Sequence, residues 1–210
     1  MKQIKFVALA IVFLFSTSAQ AVFISNAGFE QDISGGTITS YFSGDSIFGW
    51  TVTASDVETV TSGFWAPSEG LRSLDLNGVN PGAISQTISG FITGATYELL
   101  FDMGGNFYSP APSQVANVSI GAATQNFTYV PEIGDTPSSF TWKEMSLLFI
   151  ATGTSQTLSF SQVSIYPASG AALDNVRINL VEMSMVSEPN IVALVLAGLL
   201  IIYIRRKLKY

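Results

Sequence analysis

From Phe48 to Leu180 the chain repeats one pattern, short runs of β-branched, aromatic and alternating residues cut by Gly, Pro, Asn, Ser and Asp. Helical periodicity is nearly absent from this stretch. Nine runs read as strands: Phe48 to Thr53, Arg72 to Leu76, Ala83 to Ile88, Thr96 to Met103, Val115 to Ile120, Thr124 to Tyr129, Thr141 to Ile150, Thr157 to Ser161 and Leu173 to Leu180. Alternation is clear in several: Met145, Leu147 and Phe149 share one face, as do Val176, Ile178 and Leu180. Strands this short and numerous can bury their apolar side only against another sheet, so the expected fold is an all-β antiparallel sandwich or jelly roll. Gly121-Ala122 and Gly153-Thr154 read as hairpin turns, Ser109-Pro110-Ala111-Pro112 and Pro131 to Ser139 as longer surface loops.

The chain has no Cys and no His. Its fold must be held by its core, with or without a bound ion, and not by disulfides. Lack of His removes the commonest general base, the Ser-His-Asp and Cys-His nucleophile systems and every His-containing metal centre. Carboxylates remain as acid/base candidates. A glycan hydrolase or lyase would need two of them facing one cleft. Asp75, Glu98, Asp102 and Glu144 could supply such a pair, but no spacing singles two out, and no catalytic residue is assigned. The segment Asp75-Leu76-Asn77-Gly78 is not a calcium loop, because Gly78 falls too early and Gln86 stands where the bidentate Glu is needed.

Charge is unevenly placed. All fifteen acids lie between Glu30 and Glu188, while that stretch keeps only Arg72, Lys143 and Arg177, a formal −12. No basic stripe exists there, which argues against nucleic acid or anionic lipid as a partner. Such a surface suits calcium and neutral glycans, or solubility alone.

The two ends differ from this middle. Lys2 and Lys5 precede an apolar run from Phe6 to Phe15 and an Ala19-Gln20-Ala21 site of small residues, which reads as a signal peptide over 1–21. Export is therefore expected. Val22 to Val181 is long enough for one domain, the sandwich itself. A brief linker then leads to Ser187-Glu188-Pro189 within 182–190, an unbroken apolar run from Ile191 to Ile204, and a basic tail over 205–210. Fourteen helical residues rise about 21 Å against roughly 30 Å of hydrocarbon, a short transmembrane helix whose Arg and Lys would face the cytoplasm and snorkel. The motif, apolar helix and basic end resemble the PEP-CTERM sorting signal, which implies an exosortase-type processing partner. Ser187 stands where the first proline of that motif is usual, and an uncleaved single-pass anchor is the alternative.

Five segments carry a second resemblance: Asn26-Ala27-Gly28-Phe29-Glu30; Gly49-Trp50; Arg72 to Gly78 with Pro81 to Gln86; Trp142; and Gly170 to Val176. In this order they resemble the choice-of-anchor C family across essentially the whole exported domain. The resemblance implies a galactose-binding-like β-sandwich related to carbohydrate-binding modules, and a structural Ca²⁺ held between Glu30 and Asp174. The alternative for those two is that Glu30 caps a turn and Asp174 accepts from backbone. The family is named for alternative surface anchors, so both resemblances imply a non-catalytic protein displayed at the bacterial cell surface or outer membrane, or in a biofilm matrix, where it would bind polysaccharide. A purely structural adhesion module is the remaining alternative.

Loop aromatics are the candidate sugar contacts, since a ring can stack on the apolar face of a pyranose while its hydroxyls seek amide and carboxylate partners; the alternative is that such a ring covers the edge of the core. Trp65, Phe107 and Tyr108 lie in turn-rich stretches, with Asn106 beside them and Asn80 and Gln114 as further polar candidates. Trp50 and Trp142 lie inside strand patterns and are expected in the core.

Overall fold

The computed structural model describes residues 22–31, 35–106, 108, 113–139, 141–163, 168, 170–182 and, in the tail, 198–199, 204–205 and 207. Two six-stranded antiparallel sheets pack face to face as an all-β sandwich of jelly-roll type. One sheet runs β1 (Ile38–Phe42), β4 (Asp56–Thr61), β5 (Arg72–Asp75), β12 (Ala171–Glu182), β7 (Thr96–Gly105) and β10 (Lys143–Ile150). The other runs β2 (Ser46–Ile47), β3 (Trp50–Ala54), β6 (Ala83–Ser89), β11 (Ser155–Gln162), β8 (Gln114–Ile120) and β9 (Ala123–Tyr129). The signal sequence over 1–21, the Ser187-Glu188-Pro189 motif and most of the 191–204 run lie outside the described residues. Among the described residues no helix is long and apolar enough to cross a membrane.

Every strand expected from the sequence is present, and the side-chain period of two explains why. On β6, β8 and β11 alternate positions are buried, so each strand turns one apolar edge into the sandwich and one polar edge out. The inward edges meet in an aromatic chain: Phe29 to Trp50 at 5.7 Å, Trp50 to Phe160 at 5.9 Å, Phe160 to Phe101 at 5.2 Å and Phe101 to Phe127 at 5.1 Å between ring centroids. Trp50 is fully buried, as expected, and gives its indole N–H to the Asn26 carbonyl at 3.1 Å. Trp142 is only half-buried and belongs to a second, smaller cluster outside the first sheet.

Two local expectations need correction. Phe48 does not begin a strand: Ile47 pairs directly with Trp50, and Phe48 (φ 44°) and Gly49 (φ 109°) form the two-residue turn between β2 and β3. Two positive φ values are what a type I′ hairpin demands. Gly121-Ala122 is a hairpin turn, closing β8 onto β9 with Ile120 opposite Ala123. Gly153-Thr154 is not one, because the strands it joins, β10 and β11, belong to different sheets.

Gly82 shows how tightly the sheets are joined. A Cβ there would collide with the Asp56 carbonyl and lie 2.7 Å from Val57 Cγ1, whereas one at Gly153 would meet only the Ser155 carbonyl at 3.8 Å. Gly82→Ala is expected to cost about 1–3 kcal/mol and lower the melting temperature, while Gly153→Ala is neutral or mildly stabilising. Thermal melts of the two variants check this; equal effects would mean the 82 backbone has room.

Candidate functional site

Between β4 and β5 the chain leaves the first sheet and lies across its outer face from Ser62 to Leu71. A segment placed there cannot join the ladder, so its N–H groups need other acceptors. The first half finds backbone carbonyls, Ala66 N donating to Pro137 O at 2.8 Å, and the second half finds carboxylates. Asp174 Oδ2 accepts from Ser68 N at 2.8 Å and Glu69 N at 3.0 Å, and Glu30 Oε1 accepts from Leu71 N at 2.9 Å and Arg72 N at 3.0 Å. Ser68 Oγ also donates to Asp102. Apolar contact completes the attachment: the Trp65 ring is fully buried on Val60 and Ala172, its N–H donating to Ser73 Oγ at 2.8 Å, and Trp142 Nε1 donates to the Ala66 carbonyl at 3.0 Å.

Glu30 and Asp174 thus meet on one segment, in the backbone-accepting roles that the sequence left as the alternative to calcium. Among the described residues no group of three or more acidic side chains is arranged to hold a metal ion. Glu30 Oε1 and Asp174 Oδ2 each accept from two amide N–H groups, and Asp174 Oδ1 accepts from Asn175 N at 2.8 Å, so both carboxylates act as backbone clamps.

Above the clamp stands a pair of rings. Phe64 lies 5.2 Å from the buried Trp65 and 4.7 Å from Tyr108, centroid to centroid. Tyr108 is 57% exposed. Its backbone N–H donates to Asn106 Oδ1 at 2.9 Å, while Asn106 Nδ2 donates to Asp75 Oδ2 at 3.0 Å. Asp75 is buried and its other oxygen accepts from Asn77 N at 2.9 Å. Gly170 permits this, since a Cβ there would overlap Asp75 Oδ1. The result is a line of hydrogen bonds running from a buried carboxyl out to an exposed ring.

Tyr108 and Asn106, expected as sugar contacts, therefore come together. Trp65 is corrected: with no exposed surface it cannot stack on a ligand, and it supports Phe64 from below. Phe107 lies outside the described residues. Phe64, not Trp65, is the ring beside Tyr108; adjacent rings in one turn point opposite ways, and the pattern Gly63-Phe64-Trp65 does not say which points out. Gln114 is also corrected, being fully buried in the core opposite Tyr129. Asn80 is exposed, its N–H held by Asp56 Oδ1 at 3.1 Å.

The acids considered for catalysis are engaged elsewhere. Asp75 is enclosed, Glu144 pairs with Arg177 at 2.5 Å, and Glu98 accepts from Ser146 Oγ at 2.6 Å. Burial pushes the Asp75 carboxyl up to about 7 against the opposing bonds from Asn77 and Asn106, with Glu58 and Asp56 adding repulsion. Burial likewise raises Asp174 to about 7, against N–H bonds from Glu69, Asn175 and Ser68. A raised carboxyl is protonated in the folded chain where the unfolded chain has lost its proton, so these two groups favour folding at low pH and that contribution is lost as pH rises through about 7. The melting temperature is expected to be higher at pH 5 than at pH 8, and Asp75→Asn, which cannot ionise, should flatten the slope. A wild-type melting temperature that does not change over this range would refute the assignment.

Over 177 residues, 80% of its length, the chain is 33% identical to Halomucin of Haloquadratum walsbyi, of which it spans only 2%. Among solved structures it is similar to TmCBM61 in complex with beta-1,4-galactotriose, at 14% identity and a TM-score of 0.48 over 77% of this chain and 100% of that one. It is similar too to the CBM22-1 xylan-binding domain of Xyn10C from Paenibacillus barcinonensis, at 14% identity and a TM-score of 0.46 over 80% and 100%. Residues 22–179 match the family described as Protein of unknown function (DUF642). That match takes in all twelve strands but for the last residues of β12, and the chain belongs to this family.

Proposed function

We propose that the sandwich is a non-catalytic glycan-binding module of an exported protein, and that Phe64 and Tyr108 form its sugar-stacking platform. The ring pair, exposed at Tyr108 and half-buried at Phe64, carries the proposal. Sugar binding by stacking needs an aromatic face whose position is set before the ligand arrives, because ordering a loop on binding costs affinity. Here Trp65 braces Phe64 from beneath, and Asn106, itself held by buried Asp75, fixes the backbone of Tyr108. Asn106 is itself buried with both ends of its amide engaged, so its part is to position Tyr108 and not to meet ligand. No step of bond making or breaking is assigned to the engaged acids around it.

Display at the cell surface or in a biofilm matrix belongs to the same proposal. Its support is the sequence outside the domain: the 1–21 leader and the tail of Ser187-Glu188-Pro189, apolar run and basic end. An exosortase-type enzyme would process that tail after it had tethered the domain to the inner membrane.

Titration calorimetry with short neutral oligosaccharides of galactose, xylose and glucose tests the platform. Tyr108→Ala should weaken binding by at least tenfold, about 1.4 kcal/mol, without changing the melting temperature, and Asn106→Ala should weaken it less. Binding that is indifferent to Tyr108 would remove the platform. For the tail, intact mass of the protein from its native host should show a species starting near Val22 and ending near Glu188 in the surface or medium fraction. A retained 187–210 segment in the inner membrane would contradict the sorting proposal.

A further inference from the structure

The outer face of the β2-β3-β6-β11-β8-β9 sheet lies away from the ring platform, and its register lines it with hydroxyls. Ser46 pairs with Thr51, Thr51 with Ser85, Ser85 with Ser159, Ser159 with Ser119 and Ser119 with Thr124, a single row across all six strands. At about 4.8 Å per strand this row runs roughly 24 Å. A neighbouring row continues the chemistry, with Ser161 opposite Asn117 and Asn117 opposite Asn126. These positions are exposed or half-buried, alternating with the core residues of the same strands.

Two observations separate this face from an ordinary solvated one. None of the six strands contains Asp, Glu, Lys or Arg, so every charged strand residue belongs to the other sheet. Solubility alone favours interspersed charge on an exposed sheet, and the rest of the domain carries it in excess. Second, among the described residues the hydroxyls of Ser46, Thr51, Ser85, Ser119 and Ser159 make no hydrogen bond within the protein. Each is able to donate one bond and accept two. At the sheet edge Asn117 bonds Asn126 Oδ1 at 2.7 Å and Thr124 Oγ1 at 3.2 Å, which locks the end of the array.

We propose that this face is a second docking surface, whose occupant is an extended neutral polysaccharide. The inference rests on the glycan-binding reading and extends it to a surface with a different mode of contact. An uncharged polymer brings no ion to desolvate against the neutral face, while an anionic one is repelled by the acid-rich domain around it. A hydroxyl-covered partner matches an array that both donates and accepts. Each such bond exchanges with one to water and gains little alone, so affinity at this face requires many at once. Binding here therefore selects long chains over short ones, whereas the ring platform can hold a short oligosaccharide. Tethering one polymer to both surfaces would raise its effective concentration at each.

Sedimentation of the purified protein with insoluble cellulose, xylan, galactan and starch tests this, with soluble oligosaccharide titration run in parallel. The Ser85→Lys, Ser159→Glu double variant places opposite charges on two half-buried partner positions, which keeps the sheet pairing favourable but breaks the neutral row. It should lose at least tenfold in binding to the retained polymer, keep its oligosaccharide affinity and melt as the parent does; Ser159→Thr should behave as wild type. Undiminished polymer binding by the double variant overturns the inference and leaves the platform standing, as does wild-type binding to oligosaccharides but to no polymer. Loss of self-association in ultracentrifugation, with polymer binding unchanged, would make the face a contact between copies and overturn it too. Wild-type protein that binds neither probe defeats the glycan reading itself, and this inference with it.

Discussion

Two carboxylates holding four backbone N–H groups are the constraint on which the candidate site depends. Asp174 and Glu30 come from opposite ends of the domain, and both grip the segment between β4 and β5. The bonds from Ser68 and Glu69 to Asp174 are part-buried and those from Leu71 and Arg72 to Glu30 are exposed, so the inner pair would be the costlier to leave without acceptors. With them, the segment can press Trp65 onto Val60 and Ala172 and so raise Phe64 to the surface. In a chain with no disulfide, these long-range bonds also join the first, middle and last parts of the fold. Their expense is visible at Asp174, whose enclosure makes its charge costly to keep near neutral pH.

The fold was legible where a strand has one wet face. β6, β8 and β11 alternate cleanly and could be read to within two residues. β4 could not, because its burial runs almost without break: the sandwich covers one side and the outer segment much of the other. With alternation gone, Asp56 and Glu58 resemble loop residues. β1 and β2 were missed for the opposite reason, being a peripheral strand with one buried residue and a strand of two residues. Phe48 reads as a strand aromatic, and only its pairing neighbours reveal that it occupies a turn.

The site was less legible than the fold because its geometry depends on distant partners. Asn106 and Tyr108 were recognisable as a polar and an aromatic residue beside a proline loop. Nothing near Asp75, however, announces that Gly170 and Asn106 will enclose it, or that its carboxyl will set the position of a ring two hydrogen bonds away. The reversal at Phe64 and Trp65 has the same origin. An indole goes inward here because Ser73 on β5 offers its N–H an acceptor, a fact of tertiary pairing.

β12 is the final described strand, yet it sits between β5 and β7 near the middle of its sheet. Its partners on β5 lie about a hundred residues earlier, at Leu74 and Asp75. Until β12 arrives, that sheet is two separate pieces with open edges, and the outer segment lacks Asp174, one of its two carboxylate anchors. Loop closure over such a distance is slow, and exposed edges invite pairing with other chains. The order of assembly is thus written into the topology: the first sheet cannot close before its last strand is available, and the ring pair takes its place only with that strand.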